Sequence, residues 1–229
     1  MPEERLGIAS DTERDAGLTA ADASLSARTT LTFARHGESE ANLGQVFSNR
    51  DLPHRLTPKG VEHAIQLADL FRAHGIEELW SSPVPRAVET AAIVSQRLDL
   101  PYQVTDALRE FDVGRFEGTD SQEGWDEYAS VMRLWLAGDF EARVGGGESL
   151  AEIVLRLRRF LDRFTREPAS RCVGLIGHGG LYRMALPHVL DNVSPRFAIE
   201  HTQAYGQTVI AQARGGVLTC LEWNGVTPA

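Results

Sequence analysis

Lysine is almost absent from the 229-residue chain, where Lys59 is the only one. A Walker-type phosphate loop sets its lysine beside Ser or Thr, whereas Lys59 precedes Gly60, so that reading fails. Cysteine is nearly as scarce. Cys172 and Cys220 lie far apart, each in an apolar segment, which suits small buried hydrophobes and not a disulfide framework or thiolate metal site. No apolar run approaches the roughly 20 residues needed to cross a bilayer, and the N-terminus lacks the short apolar core of a signal peptide. No membrane partner is therefore expected, and the expected location is cytoplasmic. Positive charge is in deficit too. A formal net charge of −9 leaves no general cationic face for nucleic acid, although arginines gathered in one place would still suit a small anionic substrate.

What is present is ordinary globular composition, 42% hydrophobic and 24% charged, which fits one large domain. Residues 1–28 carry no aromatic side chain and too little apolar surface to offset ordering entropy, so a mobile tail is expected there. Residues 29–229 are expected to form a single catalytic domain. From Thr30 onward, short β-prone runs alternate with helical ones. The expected strands are Thr30 to Ala34, Glu78 to Ser81, Cys172 to Ile176, Thr208 to Ala213 and Val217 to Trp223. Thr57 and Pro58 read as N-cap and first residue of a helix running to Ala73, with Val61, Ala64, Ile65, Ala68 and Phe71 inward. Ser149 and Glu152 form a capping box for a helix whose stripe is Ile153, Leu157, Phe160 and Leu161. Further helices are expected after Ser82-Pro83 and after Gly179-Gly180. The order implies a three-layer α/β/α sandwich with a mainly parallel sheet. Arg214 to Gly216 separates the last two strands as a hairpin, which makes an edge pairing antiparallel.

Three polar clusters fall where strands should end, the side on which such sheets bind ligands. They are Arg35-His36-Gly37-Glu38-Ser39, Ser81-Ser82-Pro83-Val84-Pro85-Arg86 and Gly177-His178-Gly179-Gly180. Singly, each has a plain structural explanation as a turn or helix start. Together they place two planar guanidinium donors and two imidazoles at one crevice, which is chemistry suited to a phosphoryl group. A dinucleotide fingerprint would need glycine where Tyr182 stands.

The run LTFARHGESEAN at Leu31 to Asn42 resembles the signature of the histidine phosphatase superfamily, which includes cofactor-dependent phosphoglycerate mutases. LTPKGVEHA from Leu56, SSPVPRAVETA from Ser81, LREFDVGRFEG from Leu108, GGESL from Gly146 and GLIGHGG from Gly174 resemble further segments in the family's order. The resemblance implies a phosphatase that hydrolyses phosphate monoesters of small metabolites through a phosphohistidine at His36, with no metal and no cofactor. Its nucleophilic imidazole must be neutral, with the second ring nitrogen held by a backbone carbonyl. Arg35, Arg86 and His178 correspond to the donors that neutralise the phosphoryl oxygens. Asn42 and the Gly179 amide are implied as further substrate-binding groups. Glu110 matches the proton donor, with Glu38 and Glu117 as rivals on residue type alone. The resemblance leaves the oligomeric state open.

His36, His178 and Glu110 could instead ligate a metal, but Arg35 and Arg86 beside them would repel a divalent cation. A noncatalytic phospho-ligand binder would be expected to have lost His36 or Glu110. A mutase, the main alternative, usually has Trp where this chain has Ala41, and a basic-aromatic run where it has Phe111-Asp112-Val113. Asp112 would repel a glycerate carboxylate, while Arg109 and Arg115 could turn inward to bind one. His54, His63, His74, His188 and His201 read as surface or core residues, with the segment Glu200 to Gln207 a candidate rim of the crevice. Trp125, Tyr128, Met132 and Trp135 read as a packed helical cap able to shape substrate access.

Overall fold

The computed structural model describes residues 28–166 and 170–228; the expected mobile tail lies almost wholly outside them. Six strands form one mixed sheet: β1 (Thr29–Arg35), β2 (Glu78–Ser81), β3 (Tyr102–Val104), β4 (Arg171–Gly177), β5 (Thr208–Arg214) and β6 (Val217–Trp223). Their order is β3-β2-β4-β1-β5-β6. The pairs β3-β2, β2-β4 and β4-β1 are parallel, whereas β5 runs antiparallel to both β1 and β6. The expected mainly parallel sheet and terminal hairpin are therefore present. β3 was not expected, since three residues are too few to show a period.

The strand period of two sends alternate side chains to opposite faces. Ala34, Leu79 and Ile176 join a core with Leu67, Ala68 and Phe71 of α2 (Pro58–Ala73) and Ala87, Ala91 and Val94 of α3 (Pro85–Leu98). Leu31, Phe33, Val173 and Leu175 face the other way, onto Ile153, Leu157, Phe160 and Leu161 of α5 (Leu150–Arg166). The remaining helices are α1 (Glu40–Leu43), α4 (Gln122–Leu136), α6 (Gly179–Ala185) and α7 (Pro195–Glu200). Helices cover both faces, as a three-layer α/β/α sandwich requires.

The expected caps are made. Thr57 Oγ1 accepts the Gly60 amide at 3.0 Å, and Ser149 and Glu152 exchange reciprocal bonds of 3.0 and 3.3 Å. One detail differs. In α2 Leu67 is buried while Val61 and Ile65 are only half-buried, because the stripe is set by α3 as well as by the sheet. α3 follows Ser82-Pro83 as expected, beginning at Pro85 with Val84 as its N-cap residue. No helix among the described residues is long and apolar enough to cross a membrane.

Candidate active site

β1, β4 and β2 are neighbours and parallel, so their carboxyl ends share one edge of the sheet. Arg35 lies opposite Gly177 and Ser81 opposite Ile176. The His36 amide continues the ladder onto the Gly177 carbonyl at 3.0 Å, and the Ser82 amide onto Ile176 at 2.9 Å. This register, rather than any loop sequence, brings the three polar clusters together.

Arg86, at the start of α3 and almost fully buried, is the hub. Its Nε donates to His36 Nε2 at 2.8 Å, one terminal nitrogen donates to the Ser48 carbonyl, and the other meets His178 Nδ1 at 3.1 Å. The His36 Nδ1–H donates to the Gly37 carbonyl at 2.6 Å. A guanidinium can only donate and a carbonyl can only accept. His36 therefore carries its proton on Nδ1 and presents the Nε2 lone pair to the centre of the cluster. Burial, then Arg86 and Arg35, hold His36 well below the ordinary histidine range; burial, then Arg86, does the same for His178. Both rings are thus neutral. Burial also lowers Arg86 to about 10. The second nitrogen of His178, Nε2, lies 2.8 Å from Ser82 Oγ. Arg86 occupies the lone pairs of both imidazoles, the electrons a metal would require.

Arg35 reaches the same cluster with its guanidinium over the Tyr205 ring, 4.3 Å from the centroid, and Nη2 donating to the Tyr205 hydroxyl at 3.2 Å. Its Nε is buried without a hydrogen-bond partner among the described residues. Glu110 is fixed by two amides, Gly180 N–H to Oε2 at 2.9 Å and Phe111 N–H to Oε1 at 3.2 Å. Burial raises its pKa despite the opposing effect of Arg86, which favours the protonated form a general acid needs. The rivals are tied down as structural groups. Glu38 accepts the Thr57 hydroxyl at 2.9 Å, and Glu117 accepts the Asn49 and Arg50 amides at 3.0 and 2.9 Å.

A cavity of about 200 Å³ is lined by Arg35, His36, Asn42, Arg86, Glu110 and Gly179 together with an aromatic wall. His178 lies behind it through Arg86. Asn42 Oδ1 accepts from Ser39 N and Oγ at 3.0 and 2.9 Å, leaving its amide donors for the cavity. Two expectations are corrected. Asp112 pairs with Arg50 at 2.8 Å and accepts the Gly114 amide at 2.7 Å, so it cannot repel a substrate carboxylate. Arg109 and Arg115 turn outward to Asp51, Asp106 and Glu127, so neither binds one.

The model of the histidine phosphatase superfamily (branch 1) matches residues 31–225. This chain belongs to that superfamily. Among its relatives, a Hydrogenobacter thermophilus protein named "Putative phosphoserine phosphatase 2" is 31% identical over 66% of this chain and 73% of its own length. A Salmonella paratyphi B protein named "Probable phosphoglycerate mutase GpmB" is 31% identical over 64% and 68%. The solved mycobacterial glucosyl-3-phosphoglycerate phosphatase in complex with VO3 superposes with a TM-score of 0.72 at 23% identity, covering 86% of this chain and 99% of that one. A protein named as a putative phosphatase and one named as a probable mutase thus stand side by side among the relatives of this histidine phosphatase-superfamily chain, and the solved structure shares its fold.

Several cavity or cluster residues escaped the sequence reading. Ser48 contributes only a carbonyl, which no side-chain pattern reveals. Ser82 looks like a helix start yet contacts His178, and Arg183 lies outside the family-like segments, whereas Tyr205 falls within the segment Glu200 to Gln207 expected as a rim of the crevice. Trp125 and Tyr128, expected as a packed cap, line the cavity, whereas Met132 and Trp135 on the same helix are buried.

Proposed function

We propose that this chain is a phosphomonoesterase acting on small phosphorylated metabolites, with His36 as the nucleophile. The observation that supports this most is the fixed tautomer of His36, whose Nδ1–H is held by the Gly37 carbonyl so that the unprotonated Nε2, which accepts from Arg86 in this structure, is the nitrogen left for attack on phosphorus. Nε2 attacks phosphorus as the P–O ester bond breaks, and Glu110 gives its proton to the departing oxygen. Glu110, now a carboxylate, then takes a proton from water, which attacks the phosphohistidine and releases inorganic phosphate. Arg35 and Arg86 donate to the phosphoryl oxygens throughout. His178, which the family resemblance implies as a further phosphoryl-binding group, accepts from Arg86 through Nδ1 in this structure and in this reading holds that guanidinium in place. Asn42 and the Gly179 amide complete the set of donors.

Hydrolysis is favoured over mutase chemistry because a mutase must hold a carboxylated intermediate away from water, and the segment after Glu110 supplies only Phe111 to the cavity. Supplying 3-phosphoglycerate with a bisphosphoglycerate primer should release inorganic phosphate faster than 2-phosphoglycerate forms. Isomerisation outpacing hydrolysis of every monoester in a panel would make the protein a mutase.

A further inference from the structure

The proposed phosphoryl chemistry depends on where Arg35 points, and no carboxylate of the described residues pairs with it. Among those residues the one hydrogen bond of its side chain goes to a phenol, from Nη2 to the Tyr205 hydroxyl at 3.2 Å. The guanidinium also lies over the Tyr205 ring, 4.3 Å from the centroid. Without that ring the side chain has room to leave, because Arg35 lines both the central cavity and a neighbouring opening of about 410 Å³ whose walls include Asn42, Gln45, Trp125 and Tyr205.

Tyr205 is fixed in turn. His63 of α2 stacks on its ring, with 4.9 Å between centroids and 13° between planes. His63 Nδ1 accepts the Glu38 amide at 3.4 Å, two residues beyond the nucleophile, and the Tyr205 and His36 rings are 6.4 Å apart. One aromatic side chain thus joins α2, the loop that carries His36 and the Arg35 guanidinium. The choice of a phenol has a physical consequence. A carboxylate would hold Arg35 as firmly but would cancel the charge that a phosphoryl group needs, whereas a ring quadrupole and a neutral acceptor orient the cation and leave that charge intact. The buried Nε–H of Arg35, unpartnered among the described residues, also stays available to a ligand oxygen.

We propose that Tyr205 is a positioning residue, braced by His63, that sets the direction of the Arg35 guanidinium toward the phosphoryl group without neutralising it. This rests on the phosphatase reading, in which Arg35 donates to the transferring group. Tyr205 acts through Arg35, which serves the phosphoryl oxygens and not the departing one. Its contribution is therefore independent of the leaving group, the opposite of what is expected for Glu110.

The test is a mutant cycle read as kcat/KM on p-nitrophenyl phosphate and on an alkyl phosphate. Tyr205→Leu should lower kcat/KM roughly 10- to 100-fold, the cost of misplacing a group at a reacting centre by up to about 1 Å, and by the same factor on both esters. Tyr205→Phe, which keeps the ring and loses the hydroxyl, should recover part of the loss. In an Arg35→Ala background Tyr205→Leu should cost no more than about twofold, since both changes act through one group. Calorimetric titration of inorganic phosphate into His36→Ala reads the same cycle without turnover, with weaker binding expected in Tyr205→Leu only where Arg35 is present. Equal losses from Tyr205→Leu with and without Arg35, a loss confined to the alkyl ester, or unchanged phosphate binding would overturn the proposal. Phosphate binding that follows the cycle in a protein that hydrolyses no monoester would uphold the role of Tyr205 and overturn the phosphatase reading instead, so the two failures are distinguished.

Discussion

Gly180→Ala isolates the positioning of the proposed acid from its chemistry. A Cβ at position 180 would stand 2.7 and 2.8 Å from the two Glu110 oxygens and 2.9 Å from Cδ, well inside the distance real contacts allow. The carboxyl group is the movable partner, because Gly180 belongs to a helix packed into the core. It must retreat by about 0.5 Å or more and loosen its bond from the Gly180 amide. A misplacement of about 1 Å at a reacting group can cost on the order of 100-fold in rate, so roughly 10- to 100-fold in kcat is expected here. Complete removal of the proton donor, in Glu110→Gln, should cost about 10²- to 10⁴-fold. The assay is steady-state hydrolysis of an alkyl phosphate and of p-nitrophenyl phosphate. The alkoxide leaving group needs the proton and p-nitrophenolate hardly does, so both variants should lose much more on the alkyl ester. The double variant should be no worse than Glu110→Gln, since both changes act through one group. Full alkyl phosphatase activity in Gly180→Ala, or equal losses on the two esters, would refute the assignment of Glu110 as the acid.

The pH dependence follows from opposite shifts. Burial lowers His36 and raises Glu110, so the active form, neutral imidazole with protonated carboxyl, is widened at both ends. The acid limb of kcat/KM should fall below pH 6.5, as protonation consumes the Nε2 lone pair. The alkaline limb should disappear in Glu110→Gln, and an unchanged alkaline limb there would assign it to another group. Gly60→Ala tests the loop that carries the nucleophile, because its Cβ would lie 1.9 Å from the Glu38 carbonyl oxygen, backbone against backbone. Overpacking of that kind costs about 1–3 kcal/mol, or roughly 2–12 °C in a domain of this size. An unchanged Tm would show that the loop shifts freely.

Much of the fold was legible because it is local. Thr57-Pro58 and the Ser149 capping box mark helix starts through bonds made within one turn, and the strand ends carrying Arg35, Ser81 and Gly177 are hydrophobic runs with glycine or polar stops. Their convergence was legible too, since parallel neighbours bring carboxyl ends together. The rest depended on tertiary contacts. Asp112 and Arg109 reveal their direction only through Arg50, Asp51 and Asp106, which lie elsewhere in the sequence or point outward. Arg183 reads as an ordinary helix-surface residue until its three-residue spacing from Gly180 is combined with the position of Glu110. Tyr205, stacked on His63 at 4.9 Å and bonded to Arg35, belongs to a loop with no period to read. The segment Glu200 to Gln207 does reach the cavity, through Thr202 and Gln203.

The covalent role of His36 is tested most directly by rapid acid-free quenching during turnover of a 32P-labelled monoester, followed by peptide mapping. Label is expected on the peptide containing His36, stable to base, labile to acid and absent from His36→Ala, with phosphate release abolished in that variant. Phosphate released at the wild-type rate by His36→Ala, or label found on another residue, would contradict it.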